Sequence, residues 1–149
     1  MSTRTAILAA VAALAVVVVV LSRGQEPSAR LQALEEDRMA AYVPPAGRLV
    51  DTESRNEGTA LGRPVPARLT RLFALPSADG SAALADARRA AAAAGWTPNG
   101  AADAAPLIAG KRLPSGRVEL TVSVLEDARL LPKDVTPPAL LVSLRHLGP

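Results

Sequence analysis

His146 is the single histidine of the 149 residues, and the chain has no cysteine. That pair of facts removes thiolate metal sites, thiol nucleophiles and disulfides at once. A metal set would have to be built from carboxylates, with Glu126, Asp127 and Asp134 as the nearest cluster. Glu126-Asp127 has polar neighbours that offer no desolvation to raise a pKa, so it reads as a solvated turn and not as a general acid/base pair. No serine stands in a G-x-S-x-G context. Gly110-Lys111 resembles the end of a phosphate loop, but position 105 is Ala where the loop needs Gly, and Arg112 stands where it needs Ser or Thr. No catalytic, cofactor or metal set is therefore assigned, and the residues argue for a binding or assembly module over an enzyme.

The cations are more promising. Arg68 and Arg71 fall on one extended segment, and Lys111, Arg112 and Arg117 flank a turn. Brought to one edge, these five would make a patch suited to anionic lipid headgroups or an acidic envelope protein, the alternative being an ordinary solvated rim. Nucleic acid is disfavoured, because one Trp, one Tyr and one Phe supply no stacking platform. Trp96 follows a helix stop and reads as an apolar cover for the helix end.

The elements that must position these residues can be read from periodicity. Residues 67–75 alternate as a strand with Leu69, Phe73 and Leu75 on one side and Arg71 out of pattern. Residues 81–94 read as a helix that opens at Ser81, carries five consecutive alanines and ends at Gly95, with Leu84, Ala87, Ala91 and Ala94 inward. Residues 107–113 and 117–125 read as a hairpin around Pro114-Ser115-Gly116, and residues 139–147 as a last strand. In the second hairpin strand Val118, Leu120, Val122 and Val124 point one way, and Arg117, Glu119, Thr121 and Ser123 the other. The expected fold class is α+β, of order β-α-β-β-β, with one helix packed on an antiparallel sheet.

Three regions follow: an anchor at 1–23, a juxtamembrane helix and Pro/Gly-rich linker at 24–64, and the small α+β domain at 65–149. Residues 28–41 read as an amphipathic helix capped by Ser28, with Leu31, Leu34, Met39 and Tyr42 near one side. Residues 44–66 read as linker, with room for a short strand at 48–51.

Residues 5–21 contain no charge, Gly or Pro. As a helix they would extend roughly 26 Å, and Arg4 and Arg23 can snorkel at the ends, enough to cross a bilayer. A lipobox is excluded by the lack of Cys, and no A-x-A triplet follows the run, so an uncleaved signal anchor is preferred over a cleaved signal peptide and a secreted binding protein. The short basic N-terminal tail places the C-terminal domain outside the cytoplasm of the cell membrane. Ala6/Ala10 and Ala9/Ala13 give small-xxx-small spacing that would allow two such helices to pair as a homodimer. From residue 22 to 60 the charge is −2, and from 61 onward +4, so the basicity lies in the C-terminal part.

The segment MAAYVPPAGRLV at 39–50, together with LADARRAAAAAGW, GRVELTVSV and LLVSLRH, resembles small membrane-anchored or lipoprotein-like envelope proteins of actinobacteria. The resemblance implies an envelope location. Its motifs are structural, and it carries no functional residue over to this chain.

Overall fold

In the computed structural model, which describes residues 26–76, 80–101 and 103–149, six strands form one antiparallel sheet with two α-helices against one face. The apolar run at 5–21 lies outside the described residues, and among those residues no helix is long and apolar enough to cross a membrane. The chain runs α1 (Ala29–Glu35), β1 (Arg48–Arg55), β2 (Gly58–Ala60), β3 (Arg63–Val65), β4 (Arg68–Ala74), α2 (Gly80–Ala93), β5 (Thr97–Pro98), β6 (Leu107–Leu113), β7 (Gly116–Leu125) and β8 (Ala139–Gly148). The sheet order is β1-β4-β8-β7-β6-β5, and β2 and β3 form a separate hairpin. The domain is thus α+β as expected, but with six strands and two helices in place of four and one.

The inner face is the apolar one that alternation marks out. Leu69, Phe73, Val118, Leu120, Val122, Leu140, Val142 and Leu144 are buried beneath Leu84, Ala87 and Ala91 of α2. The alanine face lets α2 lie close to β7 and β8. The helix ends where expected, at Gly95, whose φ of 82° belongs to the left-handed region that glycine occupies without a Cβ clash.

Two expectations need correction. Residues 28–41 do not form one helix. Ser28 caps α1 through its Oγ, which accepts from Leu31 N at 3.2 Å, but the chain turns extended at Asp37 and resumes as a 3-10 turn over Arg38–Ala40. The break follows from Asp37, whose carboxylate caps Met39 N at 2.9 Å and is otherwise taken by groups of the domain. Leu31, Leu34 and Met39 are buried in the same core as α2, so this segment belongs to the folded unit.

The linker assignment is the second correction. Residues 44–66 hold all of β1 and the β2–β3 hairpin, and β1 pairs along β4 from Arg48↔Ala74 to Arg55↔Arg68. Alternation could not show β1 because it is an edge strand whose residues are almost all exposed, held mainly through its backbone. Its charges, Asp51, Glu53 and Arg55, suit an edge that must not recruit another strand.

Part of the outer face is covered as well. Leu131 and Val135, on the loop between β7 and β8, pack with Leu72 and Ala139 at the end of the sheet where β7 stops. The other end of the outer face is left to solvent and polar side chains.

Candidate functional site

The five cations of the expected patch are divided by strand phase. Arg71 lies on the inner face, where its Nη1 donates to the carbonyls of Ala40 at 2.7 Å and Tyr42 at 3.0 Å and its guanidinium sits 5.0 Å from the centre of the Phe73 ring. It holds the end of the 3-10 turn against the sheet. Lys111 also turns inward, with Nζ 2.7 Å from Asp37 Oδ2 and 2.8 Å from the Ala94 carbonyl, 5.7 Å from the Trp96 ring centre. Trp96 Nε1 donates to the other oxygen of Asp37 at 3.1 Å. Both cations are spent on internal partners. Arg68, Arg112 and Arg117 remain on the outer face.

There the register adds two arginines. Reading straight across the sheet, Arg55 faces Arg68, Arg68 faces Arg145, Arg145 faces Glu119, Glu119 faces Gly110 and Gly110 faces Thr97. Neighbouring strands lie about 4.8 Å apart, so three guanidinium-bearing residues stand abreast within about 10 Å. Toward the β6–β7 turn, Arg112 faces Arg117. Arg145 Nη2 pairs with Glu119 Oε1 at 2.7 Å. Among the described residues no carboxylate forms an ion pair with Arg55, Arg68, Arg112 or Arg117. All but the half-buried Arg68 are exposed. One step along the strands, Thr70 and Ser143 face each other with their hydroxyl oxygens 3.4 Å apart. A hollow of about 520 Å³ opens beside the row, lined in part by Asn99, Gly110, Arg112, Arg117 and Leu147.

Guanidinium forks at fixed spacing suit phosphate, sulfate or carboxylate groups, which they bind bidentately. The arrangement is also costly to the domain on its own. Like charges at facing positions of adjacent strands repel, and among the described residues the register sets Glu119 opposite Arg145 and Glu53 beside Arg55 on β1 to offset part of that repulsion.

The remaining reactive residues have internal roles. His146 is buried on the inner face, with Nε2 3.0 Å from Ser115 Oγ and Nδ1 accepting from Gly148 N at 3.1 Å. Because Nδ1 accepts, the proton of the neutral ring sits on Nε2, which therefore donates to Ser115. A base that activates a serine needs the reverse polarity. Burial first, and then the nearby Arg30 charge, holds the His146 imidazole below its ordinary pKa. Asp127 caps a short 3-10 turn and binds Arg129 through both oxygens, which lowers its pKa. Among the described residues no group of three His, Asp or Glu side chains is placed to hold a metal ion. Burial and the Asp86 carboxylate push the Tyr42 phenol above its ordinary range, its hydroxyl donating to Asp86 at 2.9 Å.

No protein-family model matches the chain, and neither does any curated protein or solved structure. The site therefore rests on its own geometry. Of the residues that compose it, Arg145 was within reach of the sequence, since it alternates with the inward Leu144 and His146. Arg55 was hidden in a polar segment without periodicity.

Proposed function

We propose that the chain is a membrane-anchored binding module, held by residues 5–21 with its folded domain outside the cytoplasm, whose outer sheet face captures an anionic partner. The row Arg55, Arg68 and Arg145, flanked by Arg112 and Arg117, carries this reading. Of the three facing arginines only Arg145 has an ion-pair partner among the described residues. Each like-charged facing pair costs about 0.2–1 kcal/mol, and an anion that bridges the forks removes that cost. A binding role is favoured over catalysis by the polarity of the Ser115–His146 bond and by the absence of a reactive set in the sequence. The apolar run and the resemblance to envelope proteins support the location.

The test uses the full chain in neutral detergent micelles on immobilised heparin, a polyanion of no particular biological meaning. Retention is expected, and Arg68→Glu with Arg117→Glu should weaken it at least about tenfold, since each charge at such a surface contributes about 1 kcal/mol. Arg89→Glu, an equal charge change per site on exposed α2, should have a far smaller effect. Equal losses at Arg89 and at the sheet face, or no loss at either, would refute the reading.

A further inference from the structure

We infer that the anionic partner is the phospholipid headgroup layer of the membrane that carries the chain, and that the domain docks on it by the β2–β3 hairpin, with Leu61 entering the layer beside the arginine row. This rests on the anion-binding reading above. Three independent observations converge on one end of the domain.

The first is where the chain enters. Asn56 Nδ2 donates to the Glu26 carbonyl at 3.1 Å, Asn56 Oδ1 accepts from Ser28 N at 2.8 Å, and Ser28 Oγ donates to Glu57. Residues 26–28 are thus fastened to the base of the β2–β3 hairpin. Only five peptide units separate Leu21, the last residue of the apolar run, from Glu26, a reach of at most about 18 Å whatever their conformation. An anchored chain must therefore hold this end of the domain close to the bilayer surface, whose headgroup layer is itself about 5–7 Å deep.

The second is what that end displays. Arg55 ends β1, Arg68 opens β4, and Arg117 and Arg112 flank the β6–β7 turn. Among the described residues none of these four forms an ion pair with a carboxylate. A negative headgroup layer complements them, and the one Trp, one Tyr and one Phe of the chain are at least half-buried, which leaves no aromatic platform for nucleic-acid bases.

The third is Leu61. It is 103% exposed at the hairpin tip, where it and Gly62 have φ of 50° and 75°. A two-residue hairpin loop with both φ values positive favours Asn-Gly, and a leucine there is strained while touching no core. Arg63 lies two residues beyond it, and Leu147, 44% exposed, lies two residues beyond Arg145. Exposed apolar side chains set among arginines suit a bilayer interface, where the apolar part enters and the cation stays at the phosphates. Such a contact is weak alone. The tether makes it effective by holding the surfaces together.

The chain has no cysteine, so Leu61→Cys can be labelled at one site with an environment-sensitive dye. Leu130→Cys is the control, 67% exposed and on the loop that follows the opposite end of β7. The full chain is reconstituted into nanodiscs of phosphatidylcholine, with or without phosphatidylglycerol. The Leu61 label should become about threefold more accessible to a lipid-borne quencher in the anionic discs, Arg68→Glu with Arg117→Glu should abolish the gain, and the Leu130 label should stay aqueous. If the Leu61 label stays aqueous while heparin still distinguishes the sheet face, docking is wrong and the anion-binding reading stands. If heparin no longer distinguishes that face, both fall. Equal shielding in the two lipids, or failure of the chain to enter discs of either kind, also overturns the inference.

Discussion

At the scale of single residues, His146, the single histidine of the chain, couples the stability of the domain to pH. The ring is buried, with Ser115 on Nε2 and the Gly148 amide on Nδ1, and Arg30 adds an unfavourable charge that Glu57 partly opposes. Its folded pKa lies below the unfolded value of about 6.5, so the folded state binds fewer protons. The stability this contributes is complete above about pH 6.5 and is lost as pH falls through the folded pKa. Denaturant midpoints should hold steady between about pH 8 and 7 and decline toward about pH 5.5. His146→Asn retains an acceptor for the Gly148 amide and should flatten that slope, whatever it does to the midpoint itself. An unchanged slope would assign the titration to another group. Glu57, kept below the usual carboxylate range by the Ser28 hydroxyl, acts only in a more acidic window.

At the scale of elements, the segment from α1 to the 3-10 turn is fastened by Asp37. Its carboxylate is almost fully buried, and it accepts from Trp96 Nε1, Lys111 Nζ and Met39 N. Asp37→Ala leaves an indole N–H without its acceptor and an ammonium with only the Ala94 carbonyl. Removing one partner of a buried pair costs about 3 kcal/mol, and Lys111→Met in the same chain should recover part of that loss. Trp96 is the only Trp, so its fluorescence during denaturant unfolding reports both variants. Additive losses in the double variant would mean that the two residues do not act as a pair. Sequence periodicity located β4, α2, β6, β7 and β8, because each buries one face and so must alternate or recur at helical spacing. It also placed Leu31, Leu34 and Met39 on one side of their segment. The edge strand β1, the short β2–β3 hairpin and the two-residue β5 escaped it because they are exposed over most of their length, and so did the arginine row, which exists only through pairing between strands. Arg55, Arg68 and Arg145 are remote in the chain and meet because of register, which no pattern within a strand encodes. The same phase rule that places Arg68 outward places Arg71 and Lys111 inward, so two of five cations chosen by proximity in sequence belong to the core side.

At the scale of the whole molecule, the proposed docking requires tether and surface to act together. A hairpin tip with one leucine and a few arginines binds a bilayer weakly, and its occupancy depends on the effective concentration set by the tether. That concentration falls roughly as the −3/2 power of length for a flexible connection, so a Gly/Ser insert of about 20 residues between Gly24 and Gln25 should reduce docking by about tenfold. The readout is the shielding of the Leu61→Cys label in anionic nanodiscs, which should drop in the lengthened chain and become more sensitive to salt, because screening then acts on a weaker complex. The fold should be untouched, since Glu26 and Ser28 keep their bonds to Asn56 and Glu57. A lengthened chain that docks as well as the original would show that the surface binds lipid by its own affinity, and the short connection would then have no part in placing the arginine row.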